Sequence, residues 1–137
     1  MYFVLQECGS EAKRMDHIVL IVSDLQAAIE FYRDILDMRA EQRGANTALL
    51  FGDCKIHLHE MQTGARPVAA VPAYGSQDFC VRAEGSIQET YKELQKKKAP
   101  LELEMGIVKR IGALGEMQSV YLRDPDGNLV EICVYSA

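Results

Sequence analysis

Side chains that can bind a metal ion interrupt three otherwise apolar stretches of the 137-residue chain. His17 opens the run H-I-V-L-I-V, His57 and His59 lie in K-I-H-L-H-E, and Glu131 lies in L-V-E-I-C-V. Side-chain alternation along strands would place His57 and His59 on one face. An ionised Glu131 in an apolar strand is costly unless a cation or good donors compensate it. Two histidines and one carboxylate on a shared concave face would suit ferrous iron, manganese, zinc or nickel.

Each of these residues also has an ordinary explanation. A single histidine in a strand is commonly a hydrogen-bonded core side chain or a surface side chain. The pair of His57 and His59 could line a solvated face, and Glu131 could be an edge-strand carboxylate that faces water. The combination of the three runs favours a metal site more than any single residue does.

Further polar side chains could line a pocket near the end of the chain. Ser119 and Tyr121 share one face of a strand predicted over Ser119 to Arg123. Tyr121 either donates a hydrogen bond to a metal-bound oxygen or fills the core with a satisfied hydroxyl. Arg110, in a predicted glycine-bearing loop over residues 106–117, either contacts an anionic substrate group or is solvated.

Hydrophobic periodicity predicts the elements that carry these residues, and their order occurs twice. The first half reads as a strand over His17 to Val22, a helix from Leu25 to Leu36 behind the cap Ser23-Asp24, and strands near 38–44, 46–51 and 54–60. The second half reads as a strand over Gln77 to Ala83, a helix over Ser86 to Lys98 stopped by Pro100, one more edge over 102–104, the 119–123 strand, the turn Asp124 to Gly127 and a strand over Asn128 to Val134.

This repetition predicts an α+β fold made of paired βαβββ modules. The predicted modules cover about residues 15–62 and 75–135 within a single domain over 15–137, preceded by an extension over 1–14. An ordinary α+β sandwich whose halves agree by chance is the alternative.

Composition narrows the classes of partner. The chain has 15 Lys and Arg against 20 Asp and Glu, a formal net charge of −5, which disfavours nucleic acid and acidic membrane surfaces. No run of about 18 apolar residues predicts a membrane span. The four cysteines match no zinc-finger or C-x-x-C spacing, so we expect reduced thiols in a cytoplasmic protein, with Cys80 and Cys133 buried.

Longer motifs resemble a known superfamily. They are M-D-H-I-V-L-I-V-S-D-L from Met15, F-Y-R-D-I-L-D-M from Phe31 and D-P-D-G-N-L-V-E-I from Asp124. Together they resemble the vicinal oxygen chelate superfamily, which includes glyoxalase I, extradiol dioxygenases and fosfomycin-resistance proteins. F-G-D-C-K-I-H-L-H-E from Phe51 and R-I-G-A-L-G from Arg110 are most similar to glyoxalase domain-containing proteins. The resemblance covers about residues 15–135.

This resemblance implies a fold and a set of site residues. The modules would curl into a cup-shaped mixed sheet with the helices outside, and the first and last strands of each module would supply the metal ligands. The implied ligands to a divalent zinc, nickel, iron or manganese ion are His17, His59, Asp78 and Glu131. His57 would then be a variable neighbour of His59. Asp78 departs from the histidine common in glyoxalases, so it is a fourth ligand, an acceptor behind a ligand or an ordinary strand carboxylate.

The resemblance also implies an activity. A divalent metal would chelate a small substrate through two adjacent oxygens, in a lyase, isomerase or dioxygenase reaction, with Glu131 as ligand and proton shuttle. The candidate substrate-binding residues are His57, Arg110, Ser119 and Tyr121. The alternatives are a non-catalytic small-ligand-binding protein that has lost tight metal binding, and a structural or partner-binding homodimer. A homodimer is also compatible with the enzyme.

Overall fold

The computed structural model describes residues 12–61, 66–102 and 105–136. Its strands and α-helices, in chain order, are β1 (His17–Val22), α1 (Leu25–Glu30), β2 (Arg39–Arg43), β3 (Asn46–Phe51), β4 (Cys54–Glu60), β5 (Asp78–Arg82), α2 (Ile87–Lys96), β6 (Val108–Gly112), β7 (Gly115–Arg123) and β8 (Leu129–Tyr135). By their internal contacts these residues form two compact units.

The first unit comprises residues 15–78 and the later segment 123–129. Its four strands are ordered β1-β4-β3-β2, with β1 parallel to β4 and β3 antiparallel to both β2 and β4. The carboxylate of Asp24 accepts a hydrogen bond from the backbone N–H of Ala27 at 3.0 Å, which caps the first turn of α1 as the sequence predicts. Ala28 and Ile29 form the buried face of this short helix.

The helix predicted to continue to Leu36 changes its winding before it ends. Residues Phe31–Ile35 form a π-helical turn that directly follows α1. Two successive aromatic side chains, Phe31 and Tyr32, are both buried there and contact each other edge to face at 4.8 Å between ring centroids. In a regular α-helix, successive side chains point about 100° apart. The π-helical turn is wider than an α-helical turn, and it accompanies the burial of both neighbouring rings.

Within the described residues, the second unit comprises 12–14, 79–122 and 130–136. It contains most of the sheet ordered β5-β8-β7-β6, which repeats the β1-β4-β3-β2 order of the first sheet element by element. Its helix α2 begins behind Ser86, whose hydroxyl oxygen accepts a hydrogen bond from the N–H of Glu89 at 3.1 Å. The prediction of an α+β fold with a repeated βαβββ module is therefore confirmed.

The prediction of a loop over residues 106–117 is wrong, because most of this segment is β-structure. β6 and β7 pair antiparallel from Val108↔Ser119 to Gly112↔Gly115, so Arg110 lies in a strand and β7 begins four residues before the predicted Ser119. The sequence signal is weak because the two faces of β6 each mix polar and apolar residues. Lys109 alternates with Ile111 on one face and Arg110 with Val108 on the other.

The predicted extra edge over residues 102–104 lies partly outside the described residues. Within them, Leu101 forms an isolated antiparallel bridge with Leu122. The predicted extension over 1–14 is described only from residue 12. Among the described residues, no helix has the length and apolar character needed to cross a membrane.

Candidate functional site

The three histidines lie together on one face of the first unit. The parallel register pairs Val19 with His57 and Ile21 with His59, so these side chains share the face that also carries His17. Side chains of opposite parity in β1 and β4 form the buried core on the other side of the sheet: Leu20, Val22, Ile56 and Leu58. The apolar positions of both strands therefore fix the register that groups the imidazoles.

Ring contacts connect the three imidazoles in a row. The ring centroids of His17 and His57 are 4.9 Å apart, and those of His57 and His59 are 6.0 Å apart. Burial lowers the pKa of His57 below its usual value, and positive charge on Lys55 and on the other two histidines acts in the same direction. His57 is therefore neutral at pH 7, which is the form in which imidazole can bind a metal ion.

His17 interacts with the residue that precedes β1. A 2.7 Å contact joins its Nδ1 atom to Oδ1 of Asp16, and this hydrogen bond lowers the pKa of the Asp16 carboxyl group. A carboxylate on one ring nitrogen fixes the tautomer and leaves the other nitrogen available to a ligand. Both side chains are well exposed, so the contact orients the ring more than it stabilises the fold.

A second polar cluster, which we call the Glu131 cluster, consists of Arg110, Ser119, Tyr121 and Glu131 in the second unit. The buried hydroxyl of Ser119 donates a hydrogen bond to Oε2 of Glu131 at 2.6 Å. Nε of Arg110 donates to the Tyr121 hydroxyl at 2.9 Å, and its guanidinium lies 5.5 Å from the centre of the Tyr121 ring. All four residues were singled out from the sequence, and the structure brings them together on neighbouring strands.

The electrostatics of the Glu131 cluster keep Tyr121 protonated. Burial raises the pKa of the Tyr121 hydroxyl, and the negative charge of Glu131 raises it further, against the opposing hydrogen bond from Arg110. At neutral pH Tyr121 therefore keeps its proton and is able to donate a hydrogen bond. Arg110 supplies positive charge beside it, so the cluster holds a hydrogen-bond donor, a carboxylate and a cation.

Asp78 and the cysteines complete the candidate residues. Asp78 is the exposed first residue of β5. Cys133 is buried as predicted, whereas Cys80 is exposed, which corrects the prediction that both are buried. The error arose because β5 alternates exposed and half-buried residues although its sequence D-F-C-V-R reads as apolar. Cys8 lies outside the described residues.

The donor chemistry of the histidine face and of Glu131 fits a divalent cation. Imidazole nitrogens and a carboxylate oxygen are the ligand types that iron, zinc, nickel and manganese accept in proteins. Among the described residues, however, no group of three or more His, Cys, Asp or Glu side chains is arranged around one cation position. The described side chains therefore include suitable donor types, but no three of them form a cation site.

The turn over residues 124–128 is a buried polar network that the sequence analysis did not find. The hydroxyl of Tyr32 donates to Oδ2 of Asp124 at 2.7 Å, and the side-chain amide of Asn128 donates to the same oxygen at 2.8 Å. Oδ1 of Asp124 accepts from the backbone N–H groups of Asp126 at 3.0 Å and Asn128 at 2.9 Å. Asp126 in turn accepts from the backbone N–H and hydroxyl of Ser23. This network holds the segment 123–129 within the first unit.

An apolar cavity beside His59 is the other feature that the sequence analysis missed. It has a volume of about 280 Å³ and lies between the open face of β1 and the segment 67–77. Irregular segments have no hydrophobic period, so the only available signal was the apolar and proline-rich composition of P-V-A-A-V-P-A.

Comparisons with known proteins agree with this architecture. The family model of the Glyoxalase/Bleomycin resistance protein/Dioxygenase superfamily matches residues 14–132. The chain belongs to this superfamily. Within it, the chain is 42% identical over 123 residues to virulence protein STM3117 of Salmonella typhimurium, covering 89% of this chain and 84% of that one. It is 40% identical over 131 residues to glyoxalase domain-containing protein RDO1 of Mycosarcoma maydis, covering 95% and 73%.

Solved structures of superfamily members show the same fold. The crystal structure of the Salmonella typhimurium virulence protein aligns with a TM-score of 0.88 at 38% identity, over 93% of this chain and all (100%) of that chain. Lactoylglutathione lyase from Agrobacterium tumefaciens aligns with a TM-score of 0.69 at 25% identity, over 91% and 96%. The resemblance inferred from the motifs is thus confirmed.

Proposed function

We propose that this superfamily member is a divalent-metal-dependent enzyme that acts on a small molecule carrying two adjacent oxygens. The observation that carries the proposal is the Glu131 cluster. A half-buried carboxylate with one oxygen held by Ser119, beside a protonated Tyr121 and the cation of Arg110, is an arrangement suited to moving a proton at an oxygen-rich substrate. Membership of a superfamily that includes lactoylglutathione lyase supports the same reaction class.

In this proposal His17, His59, Asp78 and Glu131 hold the metal ion. When bound, the ion would supply Lewis-acid stabilisation of negative charge on the substrate oxygens. The donor types match the superfamily's metals, and the hydrogen bond that His17 donates to the Asp16 carboxylate orients the His17 ring. The ion is zinc, nickel, iron or manganese.

The remaining residues act on the substrate or on Glu131. Ser119 holds one carboxylate oxygen of Glu131 and so orients the carboxylate that accepts a substrate proton. Tyr121 donates a hydrogen bond to a substrate oxygen, and Arg110 attracts an anionic substrate group while it holds the Tyr121 hydroxyl. His57, neutral at pH 7, contacts the substrate between the other two imidazoles.

Metal analysis tests the proposal directly. The chain is purified without chelator, reconstituted separately with each of the four metals, dialysed and measured by inductively coupled plasma mass spectrometry. We expect close to one metal ion per chain for the wild type, and a loss of most of it in His59→Ala. The matched control is His57→Ala, two residues away on the same strand face, which we expect to keep its metal. Glu131→Gln should weaken binding while preserving an acceptor for Ser119.

A non-catalytic small-ligand-binding protein is the second candidate. It is favoured by the lack of an assembled three-residue cation site among the described residues. Substoichiometric metal under all four reconstitutions, unchanged by His59→Ala, would support this candidate and refute the enzyme.

We further propose a cytoplasmic location and a homodimeric state. The three described cysteines are all free thiols, which is typical of a reducing compartment. Cell fractionation tests the location. Size-exclusion chromatography with light scattering tests the dimer, and a monomer mass at micromolar concentration would contradict it.

A further inference from the structure

The cavity beside His59 has a mostly apolar wall on the strand side. Val19 is 40% exposed and Ile21 lies next to it on the same face of β1, although Leu20 and Val22 on the opposite face of that strand are fully buried. Open apolar side chains beside a candidate metal ligand are unusual on a solvated sheet face, because they gain nothing from contact with water. His59 is the only ionisable residue among the described residues that line this cavity.

The opposite wall is a segment with little conformational freedom to lose. It contributes two proline rings and several small or branched apolar side chains: Pro67, Val68, Ala69, Val71, Pro72 and Ala73. Prolines fix their own backbone φ, and alanine has no side-chain rotamers to order, so a ligand that binds here imposes a small entropic cost. Val68 is 42% exposed and Val71 is 84% exposed, so apolar surface is available to a ligand.

The wall is anchored at its carboxyl end. The backbone N–H of Gln77 donates to Oδ1 of Asn128 at 2.9 Å, and the carbonyl oxygen of Gln77 accepts from the N–H of Leu129 at 3.0 Å. The hydroxyl of Ser76 donates to the carbonyl of Ala73 at 3.2 Å, closing a turn. Gly75 packs directly against the backbone carbonyl of Asp126. The cavity is therefore attached to the buried turn of the first unit.

A smaller cavity of about 230 Å³ adjoins the first. It shares Ile21, His59, Val68 and Pro72 with the larger cavity and adds Glu60, Met61 and Arg66. Glu60 and Arg66 carry opposite charges, so this side offers no net charge to a ligand. In the larger cavity a charged ligand group would lose water without gaining an ion partner. The apolar part of the larger cavity, away from His59, therefore disfavours an ionised group.

We propose that the larger cavity binds the apolar part of the substrate, an uncharged group about the size of a phenyl ring or a short branched alkyl chain. An apolar cavity of about 150 Å³ can hold benzene, so 280 Å³ holds such a group with room for its attachment. The polar end of the molecule then lies at His59, the only ionisable group among the described residues of the lining. The assignment rests on the proposed function for the adjacent oxygens and adds the class of substrate: an oxygen-rich head that carries one compact apolar group.

A pair of probes that differ only in the apolar group tests this assignment. Mandelate and lactate both carry an adjacent hydroxyl and carboxylate, and mandelate has a phenyl ring where lactate has a methyl group. Isothermal titration of the metal-loaded protein should give about tenfold or more tighter binding for mandelate. Lactate binding as tight as mandelate would overturn the assignment while leaving the proposed function standing.

Variants locate the effect in the cavity. Val68→Ser removes apolar surface from both cavities at an exposed position, so the fold should be retained. It should reduce mandelate affinity several-fold and leave lactate affinity unchanged. The matched control is Leu114→Ser, at a 74% exposed apolar residue in the turn between β6 and β7, which should change neither affinity. An unchanged mandelate affinity in Val68→Ser would also overturn the assignment.

A metal-free measurement separates failure of the cavity from failure of the proposed function. Benzyl alcohol carries the phenyl group without a pair of adjacent oxygens. Titrated into the metal-free protein, it should shift backbone amide resonances of β1 and of Val68 and Ala73 in ¹H–¹⁵N spectra. Absence of these shifts refutes the cavity assignment. Shifts with benzyl alcohol, combined with no binding of either acid to metal-treated protein, would support the cavity and refute the metal-dependent function.

Discussion

Replacing Tyr32 by phenylalanine tests whether the buried turn stabilises the first unit. Tyr32 is fully buried, and its hydroxyl donates at 2.7 Å to the carboxylate of Asp124, which is 6% exposed. A hydrogen bond to a charged group is worth about 1.5–3 kcal/mol of folding free energy. Tyr32→Phe keeps the ring and removes only this donor. We therefore expect the free energy of unfolding to fall by about 1.5–3 kcal/mol.

The assay is urea unfolding followed by circular dichroism, supported by thermal unfolding. For a chain of this size, 1 kcal/mol corresponds to about 3–4 °C in Tm, so Tm should fall by about 5–10 °C. The control is Tyr74→Phe, because Tyr74 is 42% exposed and its replacement should change the free energy by less than about 0.5 kcal/mol. A change below that value in Tyr32→Phe would refute the role assigned to the hydrogen bond.

Asp124→Asn should cost more than Tyr32→Phe. Each oxygen of Asp124 accepts two hydrogen bonds, and an amide would present an NH₂ group to two of those donors. We expect a loss of about 3–4 kcal/mol, which reflects several unsatisfied buried groups. The opposite ranking of the two variants would show that the tyrosine hydroxyl, and not the carboxylate, organises the turn.

The same hydrogen bond predicts a pH dependence. Burial, and then the charge of Asp124, raises the pKa of Tyr32 well above its ordinary value of 10.0. Above about pH 10 the unfolded chain loses this proton while the folded chain keeps it, so the folded state becomes less stable as pH rises. Phenylalanine has no such proton. The stability difference between wild type and Tyr32→Phe should therefore be full below pH 10 and shrink above it.

Three further perturbations test other parts of the structure. Gly75→Ala should destabilise the chain by about 1–2 kcal/mol more than Gly52→Ala in urea unfolding. Both residues have positive φ, but only at Gly75 would a Cβ overlap a backbone carbonyl oxygen. Cys80 should react more slowly with iodoacetamide at pH 8 than Cys54, as followed by mass spectrometry. Although the residue is exposed, partial burial of its sulfur, then Cys133 and Glu131, raise its thiol pKa strongly, whereas the raised pKa of Cys54 has a smaller shift; equal rates would contradict this. Ser119→Ala should lower the free energy of unfolding by about 1–2 kcal/mol through loss of its 2.6 Å hydrogen bond.

Regular alternation of buried and exposed side chains along the strands explains why much of the architecture was predictable. In β1 and β4 the buried residues occur at every second position, so the face that carries the histidines follows from the sequence. Ser119, Tyr121 and Glu131 were found in the same way, since each interrupts an apolar strand. The cap of α2 was readable because Ser86 and Glu89 are neighbours in sequence as well as in space.

The missed features depend on contacts that leave no local pattern. Tyr32 and Asp124 are 92 residues apart, so nothing near either residue indicates their hydrogen bond. The π-helical turn at Phe31–Ile35 accompanies aromatic packing that propensity does not describe. β6 was predicted to be a loop because each of its faces mixes polar and apolar side chains. Its strand structure follows from its pairing with β7, which its own sequence does not indicate.

The first unit is built from two separate segments of the chain, and this affects the order in which its parts are translated. Residues 123–129 complete a unit whose other residues end at position 78. The ribosome therefore translates the whole first sheet before it reaches Asp124, the residue that accepts the hydrogen bond from Tyr32. A gene fragment that stops after β4 would encode the first sheet and the Tyr32 phenol without the carboxylate that accepts its hydrogen bond.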